Sequence, residues 1–147
     1  MKKSRLPLIL LLSLSSSACN PKTEGSPPPG YRDYGSGKYD EKDFSAWMSK
    51  AEQKAAYDAI SPGSYFSYTE GRNNGGFNQY RQVKTTFPQD RFTEWAVFWG
   101  LTADEFYQLE LKMLASGFVR QNLQVFTDSQ GLALHQVVWL KPKPISH

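Results

Sequence analysis

The 147-residue chain has a single cysteine, Cys19, and two histidines, His135 and His147. One thiol excludes an internal disulfide framework. No His-x-x-x-His pair and no clustered Asp loop offers the ligand spacing of a zinc or EF-hand calcium site, so neither a metal nor a cofactor is expected. Long hydrophobic runs are also scarce. After residue 18 none approaches the roughly 20 apolar residues of a membrane-spanning helix. An excess of one charge is missing too: with Lys2, Lys3 and Arg5 set aside, the remaining basic residues equal the 14 acidic ones in number. A neutral chain lacks the phosphate-neutralising balance of a nucleic-acid binder, and nucleic acid is not an expected partner. What is present is a 39% hydrophobic and 14% aromatic composition, enough for one small core.

The one sustained apolar run is N-terminal. Met1-Lys2-Lys3-Ser4-Arg5 forms a positive start, residues 6–14 are apolar apart from Pro7 and Ser13, and Ser15-Ser16-Ser17-Ala18 leads into Cys19. Over residues 1–20 this pattern resembles a bacterial lipoprotein signal peptide. Ser17 and Ala18 match the family's small positions, whereas Ser16 stands where a bulky aliphatic residue is usual. The resemblance implies removal of residues 1–18 and lipid attachment, palmitate included, at Cys19. Three acyl chains, at about 0.8 kcal/mol per buried methylene, would anchor the protein firmly in the cell envelope. Asn20, in place of Asp, implies the outer membrane over the inner one. An ordinary secretory signal cut after Ala18 is the alternative reading.

Residues 19–40 carry Pro21, Pro27-Pro28-Pro29, Gly25, Gly30, Gly35 and Gly37 and almost no aliphatic side chain. Such a stretch buries too little to offset its chain entropy and reads as a flexible tether. Tyr31, Tyr34 and Tyr39 either dock on the following domain or form a partner motif. The single domain is expected over residues 41–141, with a tail at 142–147.

Within the domain, Asp43 is the expected cap of a helix bearing Phe44, Trp47, Met48, Ala51 and Ala55 at helical spacing. Ser61-Pro62-Gly63 ends it. A strand at 64–70, a loop at 71–76 and a strand at 77–84 follow, then an aromatic strand at 92–99. Thr102 and Glu105 form a capping box, ahead of a buried stripe of Phe106, Leu109 and Met113 widened by Leu114. Gly117 suits a left-handed helix end. Strands at 118–126 and 132–140 flank a turn at 128–131. Two helix–strand–strand units, 41–84 and 92–141, read as an internal duplication. Phe44-Ser45-Ala46-Trp47 echoes Phe92-Thr93-Glu94-Trp95 at an offset of 48, Gly63 echoes Gly117 at 54, and residues 76–83 echo 131–138 at 55. The expected class is α+β: a mainly antiparallel sheet of four or five strands with two helices on one face.

Trp99-Gly100-Leu101-Thr102, Phe106, Gly117-Phe118, Gly131 and Val138-Trp139 are similar to the bacterial tandem-repeat module found in front of polyglycine hydrolase catalytic domains. The likeness covers residues 95–141, with a degenerate copy at 44–84, and departs at Trp99 and His135. In that family the chemistry belongs to a separate domain with a Ser-x-x-Lys nucleophile motif, and no serine here has Lys three residues later. The resemblance therefore implies a binding or spacer role without catalysis.

Candidate site residues follow the same direction. His135 alternates with Ala133 and Val137 in a strand, the setting of a hydrogen-bonded sheet histidine. Asp104 and Glu105 sit at a helix N-terminus, where negative charge is stabilised anyway. Glu70-Gly71-Arg72-Asn73-Asn74-Gly75-Gly76 reads as a hairpin loop or as a polar recognition tip. Arg72 offers a planar fork to a carboxylate, and Asn73 and Asn74 offer donors and acceptors. Glu70 belongs to that candidate surface, and Tyr65, Tyr68 and Tyr80 on the adjoining strands either extend it or are core and cross-strand pairs. Trp47, Trp95, Trp99 and Trp139 are expected in the core; two exposed on one face would form a sugar-stacking platform. The expected function is a non-enzymatic, membrane-anchored protein-binding module, an inhibitor, immunity or accessory protein of another envelope or secreted protein. A peptidoglycan- or glycan-binding module is the alternative, and a small hydrolase the third reading.

Overall fold

The computed structural model describes residues 39–145. The expected signal segment 1–18, Cys19, most of the expected tether with Tyr31 and Tyr34, and His147 lie outside the described residues. A 3-10 turn at Glu41–Asp43 precedes α1 (Lys50–Asp58), β1 (Ser64–Asn74), β2 (Phe77–Thr86), β3 (Phe92–Leu101), α2 (Ala103–Ala115), β4 (Val119–Thr127) and β5 (Ala133–Pro142). The fold is α+β with five antiparallel strands. They form two hydrogen-bonded sheets, a β1–β2 hairpin and a three-stranded sheet ordered β3-β5-β4, where a single sheet was expected.

Local signals explain α2 well. Thr102 accepts from the Glu105 amide at 3.2 Å, and Glu105 accepts from the Thr102 amide at 2.9 Å, closing the capping box. Phe106, Leu109 and Met113 are buried as expected, but Leu114 is 55% exposed. Gly117 ends the helix with φ +87°.

The first helix starts later than its apolar spacing suggests. Ser49 and Glu52 form the true capping box, and residues 44–48 are extended along the edge of β2. The Ser45 amide bonds the Gln82 carbonyl at 2.9 Å, and Met48 and Tyr80 exchange two bonds of 2.8 Å. Asp43 belongs to the preceding 3-10 turn. The buried positions of α1 are Gln53 and Tyr57, while Ala51 and Ala55 are exposed.

The central three-stranded sheet is buried on both faces, because alternate side chains of β3 and β5 enter different clusters. Ala96, Phe98, Val137 and Trp139 meet Phe106, Leu109 and Met113 of α2. Trp95, Val97, Trp99, Val138 and Leu140 meet Tyr65, Phe66 and Tyr80 of the hairpin, with Tyr57 of α1. The Tyr57 ring lies 5.8 Å from Trp95 and 6.2 Å from Trp99. The two helices therefore serve opposite faces of the central sheet, which corrects the expectation that both lie on one.

The hairpin meets this sheet through side-chain amides in place of a backbone ladder. Gln124 receives the Gly71 N–H at 2.9 Å and donates to the Gly71 carbonyl at 3.0 Å. Asn122 donates to the Thr69 carbonyl at 3.4 Å, and Gln121 to the Ser67 carbonyl at 3.2 Å. Gln136 donates to Gln124 and accepts from the Gly100 amide, each at 2.8 Å. These bonds satisfy backbone groups of β1 that no strand pairs, and they explain the polar residues buried between the sheets.

The chain makes two passes of one topology: residues 44–48, α1, β1, β2, then β3, α2, β4, β5. Phe44 bridges Val83 and Met48 bridges Tyr80, as Val97 pairs with Val138 and Leu101 with His135. The opening members of these pairs are 53 residues apart and the closing members 55. The structural counterpart of Phe44 is thus Val97, and the 48-residue echo with Phe92 is not the structural match.

Candidate functional site: the outer face of the hairpin

Register places Glu70 opposite Arg81, Arg72 opposite Gln79 and Asn74 opposite Phe77. Strand alternation then gathers Tyr68, Glu70, Arg72, Asn74, Phe77, Gln79 and Arg81 on one face of the hairpin. Gly71, Asn73, Asn78 and Tyr80 occupy the other. Of the sequence-derived loop candidates, Asn73 alone falls on that second face.

The base of the outer face is closed by residues from the chain's entry into the domain. Tyr39 donates to Ser67 at 3.0 Å, and its ring sits 5.9 Å from Tyr68 and 6.4 Å from Phe44. Tyr68 is fully buried and donates to Glu70 at 3.0 Å. Glu70 in turn accepts from Arg81 Nε at 2.8 Å, while the Arg81 terminal nitrogens reach the exposed Glu41 carboxylate at 2.7 and 3.0 Å. The Glu41 hydrogen bonds, and then those of Glu70, hold the Arg81 proton more tightly than usual against the opposing effect of burial. Tyr68 and Glu70 accordingly support the face from below.

Above this base lies an array of cations on aromatic rings. The Arg81 guanidinium carbon is 3.9 Å from the Phe44 ring centre and 4.5 Å from that of Trp47. Arg72 lies 4.1 Å from the same Trp47 ring. Each such contact contributes about 0.5–2 kcal/mol. The two arginines differ in their electrostatics. Arg81 bonds two carboxylates, whereas among the described residues no carboxylate pairs with Arg72. Arg72 is oriented instead by a neutral bond from Nε to Gln79 at 3.0 Å.

The tip is rigid. The expected loop at 71–76 is mostly strand, with Gly75 and Gly76 alone between β1 and β2. Both have positive φ, +60° and +92°, the signature of a tight type I′ hairpin turn. Asn73 donates to Asn78 at 2.9 Å and accepts from the Gly76 amide at 3.3 Å. Asn74 reaches Gln79 at 3.4 Å. Beside the turn stands Phe77, 74% exposed.

The other sequence candidates are accounted for in the fold. His135 is buried, with Nδ1 3.1 Å from the Leu101 carbonyl and its ring stacked 5.0 Å from Phe106. Burial lowers its proton affinity, opposed by the Leu101 bond. Trp95, Trp99 and Trp139 are core, and only Trp47 is half-buried. Among the described residues no three His, Cys, Asp or Glu side chains group as metal ligands, and no helix is long and apolar enough to cross a membrane. A cleft of about 470 Å³ lies on the α1 side of the hairpin, lined by Phe44, Ile60 and Phe66 with Ser45, Gln82 and Lys84.

Trp47, Phe77, Gln79 and Arg81 were not singled out by sequence reasoning as part of a site. The period-2 spacing of Glu70, Arg72 and Asn74, and of Phe77, Gln79 and Arg81, is the signal that groups them. The chain matches no family model, no curated protein and no solved structure.

Proposed function

We propose that this protein is a lipoprotein of the bacterial cell envelope, anchored through Cys19, that acts as a non-catalytic protein-binding module through the outer face of its β1–β2 hairpin. One observation carries the reading: Arg72, held against Trp47 and Gln79 and paired with no carboxylate among the described residues, lies on the same hairpin face as the exposed Phe77, next to a tight turn. Arginine and aromatic side chains are the groups that most often dominate protein interfaces, and a prearranged tip loses little entropy on binding. The Cys19 anchor and the 19–40 tether would hold this tip in the outer membrane's neighbourhood, where an exported enzyme, toxin or assembly component is the kind of partner it could meet.

Crosslinking and affinity capture of the tagged, full-length protein from its own envelope tests the reading, with Cys19→Ala and Arg72→Ala in parallel. One stoichiometric protein recovered with wild type and lost with Arg72→Ala supports it. Recovery of no protein, together with co-sedimentation on purified peptidoglycan, overturns it in favour of a glycan-binding module. Three of the four tryptophans are in the core, so a stacking platform for sugar rings would have to rest on Trp47 and the hairpin aromatics.

A further inference from the structure

We infer that Phe77 is the anchor of the interaction: its ring enters an apolar socket on a protein partner while Arg72 binds a carboxylate on that socket's rim. This rests on the reading that the hairpin face binds a protein, and it specifies the chemistry of the partner. The type I′ turn requires its two glycines and makes no demand for an aromatic residue beside them. Phe77 nonetheless exposes 74% of its surface, at a position paired with Asn74 and far along the hairpin from the nearest core contact of β1, at Gly71. The Asn73–Asn78 and Arg72–Gln79 bonds and the tight turn hold the tip in this arrangement, with the Phe77 ring outside the core.

Charge defines the rim. Along this face Arg81 is bonded by two carboxylates, Glu70 and Glu41, whereas Arg72 has no carboxylate partner among the described residues and is the cation able to take an external anion. Its Nε is occupied by Gln79, so the two terminal nitrogens remain to meet a carboxylate. An aromatic plug with a guanidinium on the same hairpin face is complementary to a concave site that combines an apolar cavity with an acidic lip. A bilayer fits less well: one ring and one cation are too small an apolar insertion, and the flanking Asn74 and Gln79 are polar.

A photoreactive benzoylphenylalanine at position 77 of the full-length, anchored protein tests this in the cells that make it, with the same probe at Leu111 as control. Leu111 is an exposed residue of α2, which packs on the opposite face of the central sheet. The expected result is a protein adduct from position 77, mapped to an apolar segment containing or adjoining Asp or Glu. Its yield should fall about tenfold or more with Arg72→Glu or Arg72→Gln, as expected for loss of one desolvated charge pair. Thermal melts of both variants separate this loss from misfolding. An undiminished adduct in folded Arg72 variants overturns the carboxylate contact. Adducts to lipid, or to protein from position 111 alone, overturn the anchor while leaving a membrane role or another protein interface. No protein adduct from either position removes the protein-binding reading itself.

Discussion

Gly71 is the residue at which the absence of a side chain decides the packing. A Cβ there would stand 2.5 Å from Phe126 Cε1, with Tyr80 at 3.0 Å behind it. The backbone of β1 can approach β4 closely enough for Gln124 to grip it only because that atom is missing. Gly71→Ala is expected to cost about 1–3 kcal/mol of stability in urea unfolding, as overpacking does, despite the better strand propensity of alanine. Two buried titratable groups give stability its pH dependence at either end. Burial lowers the His135 pKa below 6.5. The unfolded chain therefore takes up a proton that the folded one refuses, and stability held above that value falls as the pH drops. Burial, followed by the charge of Asp128, pushes Tyr80 up to about 12 from 10. Here the unfolded chain loses its proton first, so stability is full below pH 10 and declines as the pH rises towards 12. Thermal melting across both windows should show the two slopes. His135→Phe, which cannot titrate, should flatten the acid one.

At the scale of elements, what could be read from the sequence was what is local. The Thr102–Glu105 box, the Phe106–Leu109–Met113 stripe and Gly117 lie within one helix and need no distant partner to declare themselves. Phe44, Trp47 and Met48 also have helical spacing, but Ser49 caps the helix after them and β2 takes their backbone into an extended pairing. Spacing within the segment carries no trace of that pairing. The same limit explains the misread loop: its Gly and Asn composition suggested irregular chain, yet Gly71 serves close approach and only Gly75 and Gly76 turn it. The amide bridge between the sheets was invisible for the same reason, because Gln121, Asn122 and Gln124 look like ordinary strand polars until β1 is placed against them. Gln124→Leu is expected to lose about 2–4 kcal/mol, since it strands the N–H and carbonyl of Gly71 in the interior. Chemical denaturation measures the loss, and accelerated amide exchange at Gly71 should locate it.

At the scale of the whole molecule, the described residues form a three-stranded sheet covered on one face by α2 and on the other by α1 and a hairpin whose tip projects beyond the core. The candidate site is assembled from three separate stretches. Tyr39 to Trp47 supplies the rings, Tyr68 to Asn74 one strand, and Phe77 to Val83 the other. Arg72 and Asn74 were legible as candidates because a glycine-rich segment advertised them. Phe77 and Trp47 were not, since a lone aromatic in a small domain is most simply core, and exposure appears only once the fold is built. Arg81 is the hinge of the arrangement: Glu70 holds it from within and Glu41 from outside. Arg81→Met should therefore release the entry segment and lower the melting temperature, while leaving α2 and its core cluster intact by amide exchange.

The central claim is that the hairpin tip is the recognition surface, and the most direct measurement is the dissociation constant of the captured protein for wild type, Arg72→Ala, Phe77→Ala and Leu111→Ala, each first shown to be folded. The account expects the two hairpin variants each to weaken binding by about tenfold or more, as loss of interface anchors does, with Leu111→Ala unchanged. Wild-type affinity in both hairpin variants, with loss in Leu111→Ala, would contradict it and move the interface to the outer side of α2.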